Sequence, residues 1–433
     1  MTISRRSFLQ LSAGATVAAA GGALASDHVQ SVGPLSEWSN VRDLFELSPD
    51  TIHMSAMLLA SHPAPVREAI ARHRSALDAN PVEYLEDNDG RLTAASREAA
   101  ANYLGMHPSH IALTDSTTMG IGLVYTAMDL RPGQEVLTTD EDYYVTDVSL
   151  DYATERTGAS KRRIALFDEA SSASRDQIIQ RITEEIRPET RLLALTWVHS
   201  STGLKIPVAA IAAALRDINA KRGEADQVLF GLDAVHGFGI ETENFFELGV
   251  DFLMAGCHKW LFGPRGTGIA AISERGLATT RPTIPSFDDS EVFSAWYTGR
   301  EPRGGNNGQR MTPGGFKAFE HRWALAEAFA LHDEIGRERI ASRTHDLAGA
   351  LKEALADIGG VTVHTPRNAA LSAGIVAFEV DGLPASEVVT RLRTRRAIAS
   401  VAPYPSALVR LTPSIRNTEA EIDQAARSLQ ESI

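Results

Sequence analysis

Short apolar runs alternate with segments of helical periodicity from about residue 66 to residue 275. Each run is mostly apolar, which is the pattern of a strand covered on both faces. The runs predict strands at 110–114, 135–139, 163–167, 191–198, 228–232, 251–255 and 267–272. The periodic segments predict helices at 65–78, 92–104, 119–128, 175–185 and 209–220. This alternation indicates an α/β fold built on a largely parallel sheet.

The pattern changes in the C-terminal part of the chain. Residues 280–315 read as a loop with a Gly- and Asn-rich segment at 303–308, and a loop of this length in a compact domain is usually functional. A long helix is predicted from 316 to about 334, followed by a smaller α+β domain. The last helix has a capping-box start, with Glu421 three residues after Thr418.

Composition excludes several classes of protein. The 433 residues suit one large and one smaller domain, and the formal net charge of −13 argues against nucleic acid or an anionic membrane as a partner. Cys257 is the only cysteine, so the chain has no disulfide framework and no multi-cysteine metal site. The histidines do not follow a zinc-hydrolase spacing either, and we predict no metal.

The N-terminus carries a separate signal. Residues 4–10, Ser-Arg-Arg-Ser-Phe-Leu-Gln, resemble a twin-arginine (Tat) export motif, and a Gly- and Ala-rich apolar stretch at 11–24 precedes an Ala-Leu-Ala cleavage pattern at 23–25. The stretch is too short to span a membrane, so it predicts a removable signal, a periplasmic mature protein and no membrane attachment after removal. The alternative is a frayed N-terminal helix with a chance arginine pair.

These observations predict four parts of the chain. They are an export signal (1–25), an N-terminal segment packing on the small domain (26–65), a large domain (66–300), and an interface loop with a small C-terminal domain (301–433).

Asp233 and Lys259 follow the apolar runs at 228–232 and 251–255. Residues just past strand ends converge on the crevice of an open α/β sheet, so both side chains can reach one bound group from adjacent strands. Pyridoxal 5'-phosphate (PLP) requires a lysine amine that condenses with its aldehyde and a carboxylate beside its pyridine nitrogen. Taken singly, Asp233 is more typical of a helix N-cap and Lys259 of a solvated surface lysine.

The segments around this pair resemble a known family. They are Asp233-Ala234-Val235-His236 and His258-Lys259-Trp260, the latter followed by Gly263-Pro264-Arg265-Gly266-Thr267-Gly268. They are similar to the class V aminotransferase superfamily, which includes cysteine desulfurases, selenocysteine lyases, isopenicillin N epimerases and kynureninases. The similarity extends over most of 45–430. It implies fold type I of the PLP-dependent transferases, α/β with a mostly parallel seven-stranded sheet in the large domain plus a smaller α+β domain, and PLP attached to Lys259 beside Asp233.

The resemblance also indicates which residues bind the phosphate group of the cofactor. Ser116, Thr117 and Thr118 open a helix after a strand, where backbone N–H groups and hydroxyls suit a dianionic phosphate, although plain helix capping would look the same. His258 belongs to the lysine block and is assigned to the cofactor. Many members have a phosphate-binding serine where this chain has Gly256, so that contact must come from elsewhere.

Around the cofactor ring, the resemblance favours Tyr143 as the stacking aromatic residue, with Tyr144 as the alternative; an ordinary buried aromatic pair is the simpler explanation. Ser200 stands where many members have an asparagine near the phenolic oxygen of PLP. His236 stands where many have a glutamine or histidine beside the same oxygen, although a lone histidine can also be a hydrogen-bonded core residue.

Two further positions concern the substrate and a second subunit. Arg410 resembles the arginine that binds the substrate α-carboxylate, for which a guanidinium fork has the right shape. Arg416 stands where many members have an aromatic residue; it could bind a second acid group or face solvent. Thr312 resembles the threonine that reaches the neighbouring subunit's phosphate, which implies a homodimer with shared active sites.

The resemblance leaves the reaction open. The segments at 197–207 and 312–316 resemble Tat-exported periplasmic PLP enzymes that tailor siderophores such as pyoverdine, which favours transamination, or a decarboxylative variant, on an amino acid or peptide-derived substrate. The alternatives are isopenicillin N epimerase-like racemisation and a cysteine-conjugate C–S lyase. Cys257 lies too close to Lys259 for a mobile persulfide carrier. A PLP-binding carrier or regulatory module without turnover is the non-enzyme alternative.

Overall fold

The computed structural model describes residues 33–433. The export signal predicted at 1–25 therefore lies outside the described residues, as does the beginning of the segment predicted at 26–65. Within 33–433, no helix combines the length and the apolar character needed to cross a membrane.

The strands are short, as the apolar runs predicted. They are β1 (Ile52–His53), β2 (Ile111–Thr114), β3 (Glu135–Thr139), β4 (Ser160–Ile164), β5 (Thr190–Thr196), β6 (Leu229–Asp233), β7 (Phe252–Gly256), β8 (Gly268–Ile272), β9 (Val361–Val363), β10 (Val376–Val380), β11 (Ala397–Ile398), β12 (Ser400–Val401) and β13 (Val409–Leu411).

The helices in the first part of the chain lie between these strands. They are α1 (Trp38–Asp43), α2 (Ala64–Ala79), α3 (Pro81–Leu104), α4 (Thr117–Ala127), α5 (Tyr144–Thr157), α6 (Arg175–Glu185), α7 (Val208–Asn219), α8 (Phe245–Leu248) and α9 (Glu274–Ala278). The later helices are α10 (Ser290–Thr298), α11 (Gly308–Met311), α12 (Phe319–Trp323), α13 (Leu325–Ile335), α14 (Arg337–Ala356), α15 (Ala385–Thr394) and α16 (Glu419–Gln430). Single 3₁₀ turns occur at Pro108–His110, Ala170–Ser172, Glu224–Asp226 and Ala369–Leu371.

One seven-stranded sheet organises the larger part of the fold. Its order is β2-β8-β7-β6-β5-β3-β4. Six of these strands run in the same direction, and β8 runs in the opposite one. The predicted α/β fold with a mostly parallel seven-stranded sheet is thus confirmed. Because β6 and β7 are adjacent, with Asp233 paired to Met254, their carboxyl ends meet at one edge of the sheet.

The sheet is buried on both faces. Alternate residues of a strand point to opposite faces, and Leu193 and Phe230 belong to one apolar cluster while their chain neighbours Leu192 and Leu229 belong to another. Burial on both faces explains why these strands are continuous apolar runs rather than alternating ones.

A second, antiparallel sheet of order β12-β13-β10-β9 carries Arg410 on β13. Helices α14, α15 and α16 contribute Leu351, Leu392 and Leu429 to its core. The N-terminal segment joins this region, because β1 pairs in parallel with β11. The domain boundaries themselves stay predictions.

The structure differs from the sequence-based expectations mainly in polar elements. Strand β4, predicted at 163–167, spans Ser160–Ile164, because it is a half-exposed edge strand with few apolar residues. Helix α3 begins at Pro81 rather than near residue 92, and α5 was not predicted. Both carry polar residues that weaken the apolar periodicity.

The C-terminal expectations are met in part. The helix predicted at 316–334 is two helices, α12 and α13, and the predicted loop 280–315 contains α10 and α11. The capping box at the start of α16 is confirmed: Thr418 Oγ1 accepts from Glu421 N at 3.2 Å, and Glu421 Oε2 accepts from Thr418 N at 3.1 Å.

Candidate active site

A cavity of about 170 Å³ lies at the carboxyl edge of the large sheet. It collects side chains from the ends of several strands, as expected for a ligand site in an open α/β sheet. Every site residue predicted from the sequence lines it except Thr312. The wall consists of Met57, Leu58, Ser116, Thr117, Thr118, Ile121, Tyr143, Val145, Thr196, Ser200, Asp233, Val235, His236, His258, Lys259, Pro403 and Arg410.

Lys259 and Asp233 form the charged centre of the cavity. Burial lowers the pKa of Lys259 to about 8, opposed by the carboxylate of Asp233 and assisted by the positive charge of Arg410. Burial likewise raises the pKa of Asp233 to about 6, although a hydrogen bond from Val235 N to Oδ1 and the charge of Lys259 favour its ionised form. A covalently held pyridine cofactor requires a buried amine with a low pKa. It also requires a buried carboxylate that needs a cationic partner.

The start of α4 forms a second, anion-binding wall. Ser116 is the N-cap residue, its Oγ accepting from Met119 N at 3.1 Å, and the N–H groups of the first turn carry the positive end of the helix dipole. Thr117 Oγ1 accepts from Gly256 N at 2.7 Å. His258 lines the same cavity, and its Nδ1 has no hydrogen-bond partner among the described residues. Backbone N–H groups, hydroxyls and an imidazole gathered at a helix N-terminus suit a phosphate.

The glycine at position 256 has a structural reason. A Cβ there would lie 2.9 Å from Thr117 Oγ1 and 3.0 Å from His258 Cε1. The space that a serine would need is thus taken by Thr117 and His258. These two side chains stand in the place of the serine that many resembling proteins have.

Tyr143 and Tyr144 differ in their position relative to the cavity. Tyr143 lines the cavity, whereas Tyr144 is 62% exposed on the outer surface at the start of α5. Their rings meet edge to face, with centroids 4.9 Å apart. Tyr143 is thus the one of the two that lines the cavity, and its stacking on a bound ring stays a prediction.

Arg410 is buried, and no acidic side chain within residues 33–433 forms an ion pair with it. Its Nη1 donates to Ser200 O at 2.7 Å, Nη2 to Val401 O at 2.9 Å and Nε to Ser400 Oγ at 3.2 Å, and the side chain is 2% exposed. Burial lowers the pKa of this guanidinium to about 10, which leaves it charged at neutral pH. A buried cation held by neutral acceptors at a cavity wall is a binding site for an anion such as a carboxylate.

His236 is held in one tautomer. Trp260 Nε1 donates to His236 Nδ1 at 3.3 Å, and burial keeps the pKa of this imidazole well below its ordinary value. A neutral histidine that accepts at Nδ1 carries its proton on Nε2. His236 therefore offers the cavity a hydrogen-bond donor, which suits the phenolic oxygen predicted to lie there.

The structure does not bring Thr312 to this cavity. Its side chain is fully buried, donates to Gly308 O at 2.8 Å and accepts from Leu113 N at 3.1 Å. Donation of this hydroxyl to a neighbouring subunit's phosphate would require the bond to Gly308 O to break, and that role of Thr312 stays a prediction.

Arg416 is buried as well, which excludes the solvent-facing alternative. Its Nε donates to Ser414 Oγ at 3.1 Å, its guanidinium lies 6.0 Å from the ring of Phe45, and it does not line the cavity. A direct contact with a second acid group of the substrate is thus unsupported.

Several wall residues were not predicted from the sequence. Met57 and Leu58 come from the N-terminal segment, and Pro403 comes from the hairpin between β12 and β13. None of them carries a motif. They reach the cavity only because β1 pairs with β11 and because the smaller sheet packs beside the large one.

Comparisons with known proteins agree with this geometry. A family model described as Aminotransferase class-V matches residues 60–420. Isopenicillin N epimerase from Streptomyces clavuligerus is 26% identical over 402 residues, covering 91% of this chain and 98% of its own. Human selenocysteine lyase is 26% identical over 274 residues, covering 58% of each chain.

Solved structures share the fold. A mutant of C-DES with glycine covalently linked to its PLP cofactor superposes with a TM-score of 0.80 at 22% identity, covering 90% of this chain and 99% of its own. A cysteine desulfurase from Thermococcus onnurineus NA1 gives 0.78 at 20% identity, covering 91% and 97%.

Proposed function

From the premise that this chain belongs to the aminotransferase class-V family and is a PLP enzyme, we propose that it changes the amino group of an amino acid or peptide-derived substrate, by transamination or a decarboxylative variant. One observation carries the proposal: Lys259, Asp233 and Arg410 line a single buried cavity. PLP bound there supplies an electron sink for the bonds at the substrate Cα.

The residues of the chain have separable roles in this reaction. Lys259 would hold the cofactor through its amine and, once that amine is free again, would move a proton as a general base. Asp233 would stand beside the ring nitrogen and favour its protonated form, and the start of α4 with Thr117 and His258 would hold the phosphate. Arg410 orients the substrate carboxylate, so that the bond to be broken is held in a fixed direction.

The rim of the cavity favours a substrate that extends beyond it. Leu58 is 51% exposed and Pro403 is also exposed, and both line the wall, so they lie at its mouth. An apolar mouth beside a small polar interior suits an amino acid carried by a larger metabolite or peptide.

Export by the twin-arginine pathway and a periplasmic location are part of the proposal. They rest on the pattern Ser4-Arg5-Arg6 with the apolar stretch that follows it. Replacing both arginines by lysine should retain the protein in the cytoplasmic fraction. Periplasmic protein in that double variant would refute twin-arginine export.

A homodimer is the proposed assembly. Phe287, Trp296, Tyr297 and Phe316 are each at least 70% exposed within 280–316, and large exposed apolar patches mark interaction surfaces. Analytical ultracentrifugation of the holoenzyme tests this. A monomer across the micromolar range would remove the dimer from the proposal.

Racemisation is the second candidate, because the isopenicillin N epimerases match nearly the full length of this chain. A relay of sulfur through Cys257 is disfavoured, since the thiol is buried and burial raises its pKa far above the ordinary value.

The deciding experiment is an anaerobic titration of the PLP-loaded protein with amino acids and a glutamyl peptide, followed by visible absorbance. Stable conversion of the cofactor to its amine form would establish transamination. Persistence of the original band while product accumulates would favour decarboxylation or racemisation, which chiral analysis of the product separates. No turnover with any amine would leave a PLP-binding carrier.

Borohydride trapping should label Lys259, with Lys221→Ala as the matched control that keeps the label and Lys259→Ala as the variant that loses it.

A further inference from the structure

Tyr404 lies in the hairpin between β12 and β13, in the sequence Pro403-Tyr404-Pro405. Ala402 N donates to Leu408 O at 2.8 Å, which closes the base of this hairpin (residues 402–408). The prolines on both sides restrict the backbone there. The residues around Tyr404 at the tip are exposed, whereas Tyr404 itself is half-buried and turns inward.

The side chain of Tyr404 contacts two residues of the cavity wall, Ser200 and Tyr143, that follow strands β5 and β3 of the large sheet. Its hydroxyl lies 2.7 Å from Ser200 Oγ, and its ring centroid lies 5.8 Å from that of Tyr143 at 56°. Ser200 in turn accepts from Arg410 Nη1 through its backbone oxygen. One serine therefore joins the substrate-binding arginine, the hairpin and the cofactor cavity.

We propose that Tyr404 is a positioning residue that fixes the tilt of Tyr143 and the width of the cavity mouth, and thereby sets which substrates Arg410 can hold. This inference rests on the proposed function at the same cavity. Pro403, the neighbour of Tyr404, is part of that mouth, so anchoring Tyr404 also anchors the mouth.

The chemistry of the contact supports a permanent anchor. Burial raises the pKa of the Tyr404 phenol, so the hydroxyl stays protonated throughout the physiological range and the bond to Ser200 Oγ does not depend on pH. Many resembling proteins have asparagine where this chain has Ser200. The shorter serine side chain leaves room for the tyrosine hydroxyl.

The test uses Tyr404→Phe, which removes only the hydroxyl, with Tyr152→Phe as the control because Tyr152 is exposed on α5. In the holoenzyme, Tyr404→Phe should change the circular dichroism of the cofactor band, which reports ring environment. It should raise KM for the best substrate about fivefold with kcat nearly unchanged. A fivefold change in KM corresponds to about 1 kcal/mol, since a tenfold change corresponds to about 1.4 kcal/mol. Ser200→Ala removes the same bond, so in the cofactor-free protein it should speed amide exchange at 402–408 as Tyr404→Phe does, and the double variant should exchange no faster than either single one.

A readout that does not need the cofactor separates this inference from the proposed function. Hydrogen exchange of the amides at 402–408 in the cofactor-free protein should be several-fold faster in Tyr404→Phe than in wild type, and unchanged in Tyr152→Phe. Faster exchange in a protein that turns over no amine would leave the anchor standing and refute the function. Unchanged exchange, or a lower Tm with an unchanged cofactor spectrum and KM, would overturn the positioning role and leave Tyr404 as an ordinary packing residue.

Discussion

The reactivity of Lys259 provides the sharpest test of the site. Burial lowers the pKa of its amine from 10.5 to about 8. At pH 7 a group with pKa 8 is about 9% unprotonated, whereas one with pKa 10.5 is about 0.03% unprotonated, so the buried amine is roughly 300-fold richer in its nucleophilic form. The perturbation is a pH series on the cofactor-free protein from pH 6 to pH 11.

The assay is pulse labelling with a small acylating reagent, followed by peptide mass spectrometry. Lys259 should label with a midpoint near pH 8, and the peptide of exposed Lys221 serves as the internal labelling standard in the same samples. The midpoint, unlike the absolute rate, does not depend on how easily the reagent enters the cavity. A midpoint above pH 10 would refute the argument that burial controls this amine.

Two variants test whether Asp233 raises and Arg410 lowers the pKa of Lys259. Asp233 stabilises the charged amine, so Asp233→Asn should move the midpoint of Lys259 to lower pH. Arg410 destabilises it, so Arg410→Met should move the midpoint to higher pH. Shifts in the opposite directions would mean that the three groups do not share one electrostatic environment.

Three further predictions follow from the cavity wall. Arg410→Lys should raise KM for carboxylate substrates by the equivalent of roughly 2–5 kcal/mol, because an ammonium cannot reproduce the fork that donates to three acceptors. Equal KM values in steady-state assays would remove Arg410 from the site. Gly256→Ser should weaken PLP binding by about 1–3 kcal/mol in equilibrium titrations, since its Cβ would crowd two side chains. The control is Gly359→Ala, an exposed position with open space around it, which should bind PLP as the wild type does. Equal PLP affinities of Gly256→Ser and wild type would contradict the crowding argument. Tyr143→Leu should cost about 0.5–1.5 kcal/mol of PLP affinity through the lost ring contact, and Tyr144→Leu should cost nothing measurable; the reverse order would exchange their roles.

The residues that carry the chemistry were predictable because they follow local patterns. Asp233 is the last residue of β6, Lys259 lies three residues past the end of β7, and Ser116 precedes α4, so each position is defined within a few residues of the chain. The long helix α3 and the edge strand β4 were predicted less well, since exposed polar residues give little periodicity to read.

The amino-acid sequence by itself determined the α/β class, the central sheet, the family and the residues that line most of the cavity. These follow from strand and helix patterns and from motifs contiguous in the chain. Only the tertiary structure decided that Tyr143 rather than Tyr144 lines the cavity and that Thr312 is engaged inside its own subunit. It also decided that Tyr404, far along the chain, meets Ser200. The physical reason is that these facts depend on which strands pair and how two sheets pack, and such contacts join residues hundreds of positions apart that no local pattern relates.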